Sequence, residues 1–150
     1  DFEKESIEEI SAEYMERYKN YEKDIKLHVD VPFILDAINA KDISQYILSA
    51  AGTDDLLRML NRFHLTDKFK GIYGSDNICA TGKIGIGQRL IKENSLDPGK
   101  ALIIGDTLHD AEVAKTLGIN CILYSGGHNN YNLLTNKSKT IRNLKDILPH

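Results

Sequence analysis

A basic excess is missing from this chain. Its 19 Lys and Arg face 22 Asp and Glu, a formal net charge of −3. Nothing is left over to neutralise a run of phosphates, which excludes a general nucleic-acid binder; short basic spots such as Lys137 and Lys139 read as solvated surface. Cysteine is scarce as well. Cys79 and Cys121 are too few and too far apart to read as a disulfide framework or a zinc site. Cys121 lies in an apolar run and reads as a small core residue, and this usage suits a reducing cytoplasm. No apolar stretch approaches membrane-spanning length, so no membrane partner is expected, and the amino terminus is too charged for a signal peptide. Internal repeats and low-complexity linkers are absent too. What remains is 150 residues of ordinary globular composition, one domain's worth and enough to bury a sizeable core.

The most informative stretch is Ala101-Leu-Ile-Ile-Gly-Asp-Thr-Leu-His-Asp110. Ala101 to Ile104 is an apolar run of strand length, read as a buried strand, and Gly105 ends it. Ala111, Ala114 and Leu117 then share a helical face, with Gly118 placed as a C-cap. The pattern is strand, acidic turn, helix. In an open parallel sheet, ligands bind at the strands' carboxyl ends. Asp106 and Asp110 on such a turn suggest a hard cation with oxygen ligands, magnesium above all. The plainer reading makes Asp110 a helix N-cap and Asp106 a turn residue.

Along the chain, Ile7, Ile10, Tyr14, Tyr18, Tyr21 and Ile25 mark an amphipathic helix over residues 3–25. His28 to Pro32 reads as a connection, and Phe33, Ile34, Ala37 and Ile38 as a short helical face. Ser44 to Ser49 is a strand candidate, followed by a turn at Ala50 to Thr53, with Thr53 capping a helix through Leu56, Leu57, Leu60 and Phe63. A weaker strand covers Phe69 to Tyr73. Lys83 precedes helical Leu90 and Ile91 within a glycine-rich stretch, and Asp97-Pro-Gly99 is a turn. Ile119 to Tyr124 forms another strand, Asn129 to Lys139 a polar loop, and Asn143 to Leu148 a closing helix. His64, His109 and His128 read as exposed end or loop residues. Strand–helix alternation from Ser44 onward implies an α/β fold with a parallel sheet and flanking helices.

Ser49 ends one strand, Lys83 opens a helix, and Asp106 and Asp110 flank a turn after another strand. A hydroxyl, an ammonium and an acidic pair at one sheet edge suit a phosphate ester. This order resembles the haloacid dehalogenase (HAD) superfamily in its phosphoglycolate phosphatase-like branch. Ile47-Leu-Ser49 matches its second motif, Lys83 its third, and Gly105-Asp-Thr-Leu-His-Asp110 with Ala114-Lys-Thr-Leu-Gly118 its fourth. The resemblance implies a Rossmann-like core over residues 31–150 and the remnant of a helical cap over 1–30. It implies a magnesium-dependent phosphatase of small phosphomonoesters, working through an aspartyl-phosphate. Asp106 would ligate Mg2+, and Asp110 would support the metal site or the lysine. Ser49 and the Ala50 N–H would hold the phosphoryl group, and Lys83 would offset charge on nucleophile and phosphate.

One departure outweighs the rest. The family's first motif, Asp-x-Asp followed by Gly-Thr, supplies nucleophile and general acid/base, on a strand between those ending at Ser49 and Asp106. No such segment occurs here, and the sequence starts on Asp1, not Met. A smaller departure is Ile84-Gly85 where prolines often follow the lysine. The expectation is therefore an incomplete copy, inactive alone for want of the attacking carboxylate. It would be a fragment, a chain completed by another segment, or a rearranged homo-oligomer. Two alternatives stay open: a non-catalytic phosphate- and metal-binding or regulatory module, and, on Gly85-Ile-Gly87, a dinucleotide site.

Overall fold

A computed structural model describes residues 24–75 and 82–148. The helix expected over 3–25 falls almost wholly outside them, as does Cys79. The described residues form five strands: β1 Tyr46–Gly52, β2 Gly71–Ser75, β3 Leu102–Gly105, β4 Asn120–Tyr124 and β5 Lys139–Ile141. Between them run α1 Val31–Asn39, α2 Thr53–Arg62, α3 Gly82–Glu93, α4 Leu108–Leu117 and α5 Tyr131–Thr135. Every strand pairing is parallel. β1 pairs β2 with Ile47 opposite Ile72, β3 pairs β4 with Ile104 opposite Ile122, and β4 pairs β5 with Leu123 opposite Thr140. The α/β architecture with flanking helices is thus the observed one. β1 and β3 each keep one edge that no described strand occupies.

Several boundaries move, each for a local reason. α1 begins at Val31, so Pro32 sits in its first turn, where a missing N–H breaks no helical bond. β1 runs past Ser49 to Gly52 through a break in register between Leu48 and Gly52, so the expected turn at Ala50 belongs to the strand. Thr53 is the first residue of α2 and not its cap; Gly52 holds that position without a side chain to bond. Residues 129–139 are not a plain loop. Asn130 caps α5 by accepting from the Leu133 N–H, and Lys139 starts β5. Both elements are too short to produce a periodic signal. The closing helix is a 3-10 turn, Leu144–Ile147, capped by Asn143. His64 takes a left-handed φ of 55° at the end of α2, the place where glycine usually stands.

α3 and α4 lie side by side and run the same way, since Lys83 meets Asp110 near both amino ends and Gly87 meets Leu117 further along. A Cβ on Gly87 would stand 2.5 Å from Leu117 Cδ1 and 3.4 Å from Leu48 Cδ2, so this glycine lets α3 close on both β1 and α4. Ile86, Leu90, Val113, Ala114, Leu117, Leu123 and Leu134 are buried in the core. Burying a side chain such as Leu123 contributes about 1.5–3 kcal/mol. α1 ties the two strand groups together a second time. The Gln45 amide donates to the Leu35 carbonyl and Lys68 pairs with Asp36 at 2.7 Å, while Asp30 pairs with Lys145 at 2.8 Å and His28 packs edge-on against Tyr124.

β3 corrects the expectation of a buried strand. Leu102 is 48% and Ile104 42% exposed. The two point to the face opposite Ile103, and no described element buries them there.

Candidate active site

The acidic turn is built by close approach. A Cβ on Gly105 would overlap the Asp110 side chain, so only glycine lets the end of β3 fold back onto the first turn of α4. Thr107, not Asp110, is the N-cap. Its hydroxyl accepts from the Asp110 N–H at 3.2 Å, and Asp110 returns the bond to the Thr107 N–H, a reciprocal capping box. Asp110 Oδ2 also accepts from the Asp106 N–H at 3.0 Å and the Thr107 hydroxyl at 2.8 Å. Its Oδ1 takes the Lys83 ammonium at 2.5 Å. The residue is 4% exposed. Burial alone would raise this carboxyl. Hydrogen bonds from Lys83 and Thr107, the Lys83 charge and the Asp106 N–H together hold it below its ordinary value.

Lys83, Asp106 and Asp110 therefore meet, joined by direct bonds across two helices. Because α3 and α4 run parallel, their amino ends and the carboxyl end of β3 share one edge of the molecule, with partial positive charge from both helices. Ser49 is on β1, next to Leu48, which faces Gly87 one turn below Lys83. Its hydroxyl accepts from the Ala51 N–H at 3.1 Å, within its own strand, and Ala50 is exposed. No hydrogen bond among the described residues joins Ser49 to Lys83, Asp106 or Asp110.

The loop after β4 closes the turn from the other side. The His128 N–H donates to Asp106 Oδ2 at 2.8 Å, and its imidazole Nδ1 lies 2.6 Å from the same oxygen. Asn129 bonds twice: its N–H to the Asp106 carbonyl at 3.3 Å, and its Oδ1 from the Leu108 N–H at 3.1 Å. The sequence pattern marks His128 as an exposed loop residue. It is exposed, yet it binds Asp106. Asn129 and Thr107 were not singled out; a Gly-Gly pair closing a parallel strand was the available signal. His109 stays exposed beside Glu112 at 3.6 Å. Burial pushes the half-buried Cys121 thiol up, away from nucleophilic use.

Among the described residues no group of three or more His, Cys, Asp or Glu stands close enough to hold a metal. Asp106 Oδ1 nevertheless has no hydrogen-bond partner among them. One such carboxylate fits a magnesium ion that keeps most of its water and takes substrate oxygens as further ligands. Asp110 has both oxygens engaged in protein bonds. Gly85 and Gly87 lie inside α3, not on a strand-to-helix turn, so the dinucleotide fingerprint has no structural counterpart. A depression of about 370 Å3 lies at the other end of β1 and β2, between Asp42, Gln45, Lys68 and Lys70, and contains none of these site groups.

A parallel α/β domain with a lysine and an acidic turn at its strands' carboxyl edge defines a class of hydrolase-like folds. The chain belongs to the haloacid dehalogenase-like hydrolase family, whose model matches residues 1–124. No curated protein matches it in sequence. It is similar in structure to a haloacid dehalogenase-like family hydrolase from Streptococcus pneumoniae, with a TM-score of 0.80 at 24% identity over 96% of this chain and 70% of that one. A HAD phosphatase from Thermococcus onnurineus superposes with a TM-score of 0.73 at 22% identity, over 89% of this chain and 62% of that one. A Had-superfamily hydrolase from Ehrlichia chaffeensis gives 0.68 at 22%, over 81% and 56%. At such identities the likeness carries the fold. No helix among the described residues is long and apolar enough to cross a membrane.

Proposed function

We propose that this chain carries most of the active site of a magnesium-dependent phosphatase for small phosphomonoesters. The observation that carries the reading is the Lys83–Asp110 pair, bonded to the Asp106 N–H and beside a carboxylate whose Oδ1 has no hydrogen-bond partner among the described residues. Asp110 fixes the ammonium at the edge where a phosphoryl group would sit, so Lys83 can offset its charge without reorganising. Ser49 and the Ala50 N–H supply hydrogen bonds to phosphoryl oxygens. Asp106 holds the cation, which supplies Lewis-acid stabilisation of phosphoryl charge when bound. The attacking carboxylate belongs on a further strand between β1 and β3, at the two edges that no described strand occupies. We take that strand to come from another segment of the parent protein. Exchange between copies of the chain is the competing source, and the working compartment we take to be the cytoplasm.

By itself the 150-residue chain then binds without turning over, because charge stabilisation cannot replace a missing nucleophile. The test uses p-nitrophenyl phosphate with Mg2+. The chain alone should release no p-nitrophenol, and activity that Asp106→Ala removes would overturn its inactivity. Joining to its amino end an apolar strand that closes in Asp-x-Asp-Gly-Thr should confer Mg2+-dependent release that Lys83→Ala abolishes. A folded but silent product would defeat the phosphatase reading. Magnesium-dependent binding of phosphate without any release in that product would instead establish the non-catalytic module.

A further inference from the structure

We propose that the loop Gly127–Asn129 is the positioning device for Asp106, and that it divides the carboxylate's two oxygens: Oδ2 to the loop, Oδ1 to the cation. The inference rests on the metal reading above. Three observations carry it. The His128 N–H and imidazole both take Oδ2, at 2.8 and 2.6 Å. Asn129 clamps the backbone on both sides of the carboxylate, through the Asp106 carbonyl and the Leu108 N–H. Gly127 has no φ in the left-handed region, yet a Cβ there would overlap Asp106 from Cβ to Oδ2. Glycine is needed at 127 for room against the acid, not for backbone freedom.

The carboxylate is one-third exposed, at 33%, while His128 is 86% exposed. An exposed acid of this kind samples several rotamers unless something holds it. With Oδ2 fixed by a backbone N–H, Oδ1 keeps one direction. A metal ligand oriented in advance binds without the entropy of ordering it. One of the two Oδ2 bonds comes from the main chain, the His128 N–H, and does not depend on where the exposed ring points.

The test follows Mg2+ addition to the 150-residue chain by the amide resonances of Asp106, Thr107 and His128. Gly127→Ala and Asn129→Leu should weaken the response about 10–100-fold in Kd, the usual effect of removing an outer-shell partner. Both should also shift the His128 amide before any metal is added. Asn129→Asp, which keeps the acceptor for the Leu108 N–H, should restore most of the affinity. Methyl resonances of Leu123 and Leu134 report whether each variant is folded; if Gly127→Ala fails to fold, the Asn129 pair decides. Wild-type affinity in folded Gly127→Ala or Asn129→Leu overturns the positioning role and leaves the metal reading standing. No response to Mg2+ in the wild type overturns the metal reading and the positioning role with it.

Discussion

Replacing Lys83 by Met should be the most revealing single change, because it leaves Asp110 ionised, buried and short of a partner. Asp110 Oδ2 keeps three donors, the Asp106 N–H, the Thr107 N–H and the Thr107 hydroxyl. Oδ1 loses its one donor among the described residues, the ammonium 2.5 Å away. Removing one partner of a buried pair costs about 3–5 kcal/mol. Lys83 is 18% exposed and water can reach the gap, so the lower end, about 3 kcal/mol, is expected. For a chain of this size that lowers Tm by about 6–12 °C. The sign with pH follows from Asp110. Its folded value is depressed below the ordinary 3.8. In the wild type its contribution is present above 3.8 and is lost as pH falls through the depressed value. In Lys83→Met the contributions of the Lys83 hydrogen bond and charge to that depression are gone, while those of Thr107 and the Asp106 N–H stay, so the gap between variant and wild type should narrow toward acid pH. Urea unfolding at pH 7 and at a pH well below 3.8 measures both, with the midpoint moving and the slope unchanged. Adding Asp110→Asn to Lys83→Met should cost less than the two changes summed. A loss under about 1 kcal/mol at pH 7, or strict additivity, would refute the buried-pair reasoning.

Two further changes probe the frame around the site. Leu123→Ala, at a fully buried position in the middle of β4, should cost about 2–5 kcal/mol in urea unfolding; a cost near zero would mean that the β4 core is not packed as described. His64→Gly should raise stability by up to about 1 kcal/mol, because glycine carries no penalty at the left-handed φ of 55°; a loss would assign the His64 side chain a stabilising contact.

The strand–acidic turn–helix reading was legible because local chemistry enforces it. Gly105 must be small against Asp110, Thr107 and Asp110 cap each other within one turn, and Gly118 ends α4 with a φ of 71°. The alternation of apolar runs and amphipathic segments likewise fixed a parallel α/β order. Two short elements after Tyr124, α5 and β5, were not legible. α5 is five residues and β5 three, held by the caps of Asn130 and the pairing with β4, and neither length supports a periodic pattern.

What the order of residues determined by itself was chemistry over short range: which turn would be acidic, which helix would open on a lysine, and that no Asp-x-Asp-Gly-Thr stands among the 150 residues. Tertiary structure decided the rest. Lys83 and Asp110 are 27 positions apart, and only the parallel packing of α3 on α4 brings them into contact. Asp106 and His128 are 22 apart, and only the return of the chain through β4 lays the loop on the acid. The exposure of Leu102 and Ile104 likewise depends on which elements lie over β3. Contacts of that range depend on how elements pack against one another, and a linear pattern does not record which faces meet.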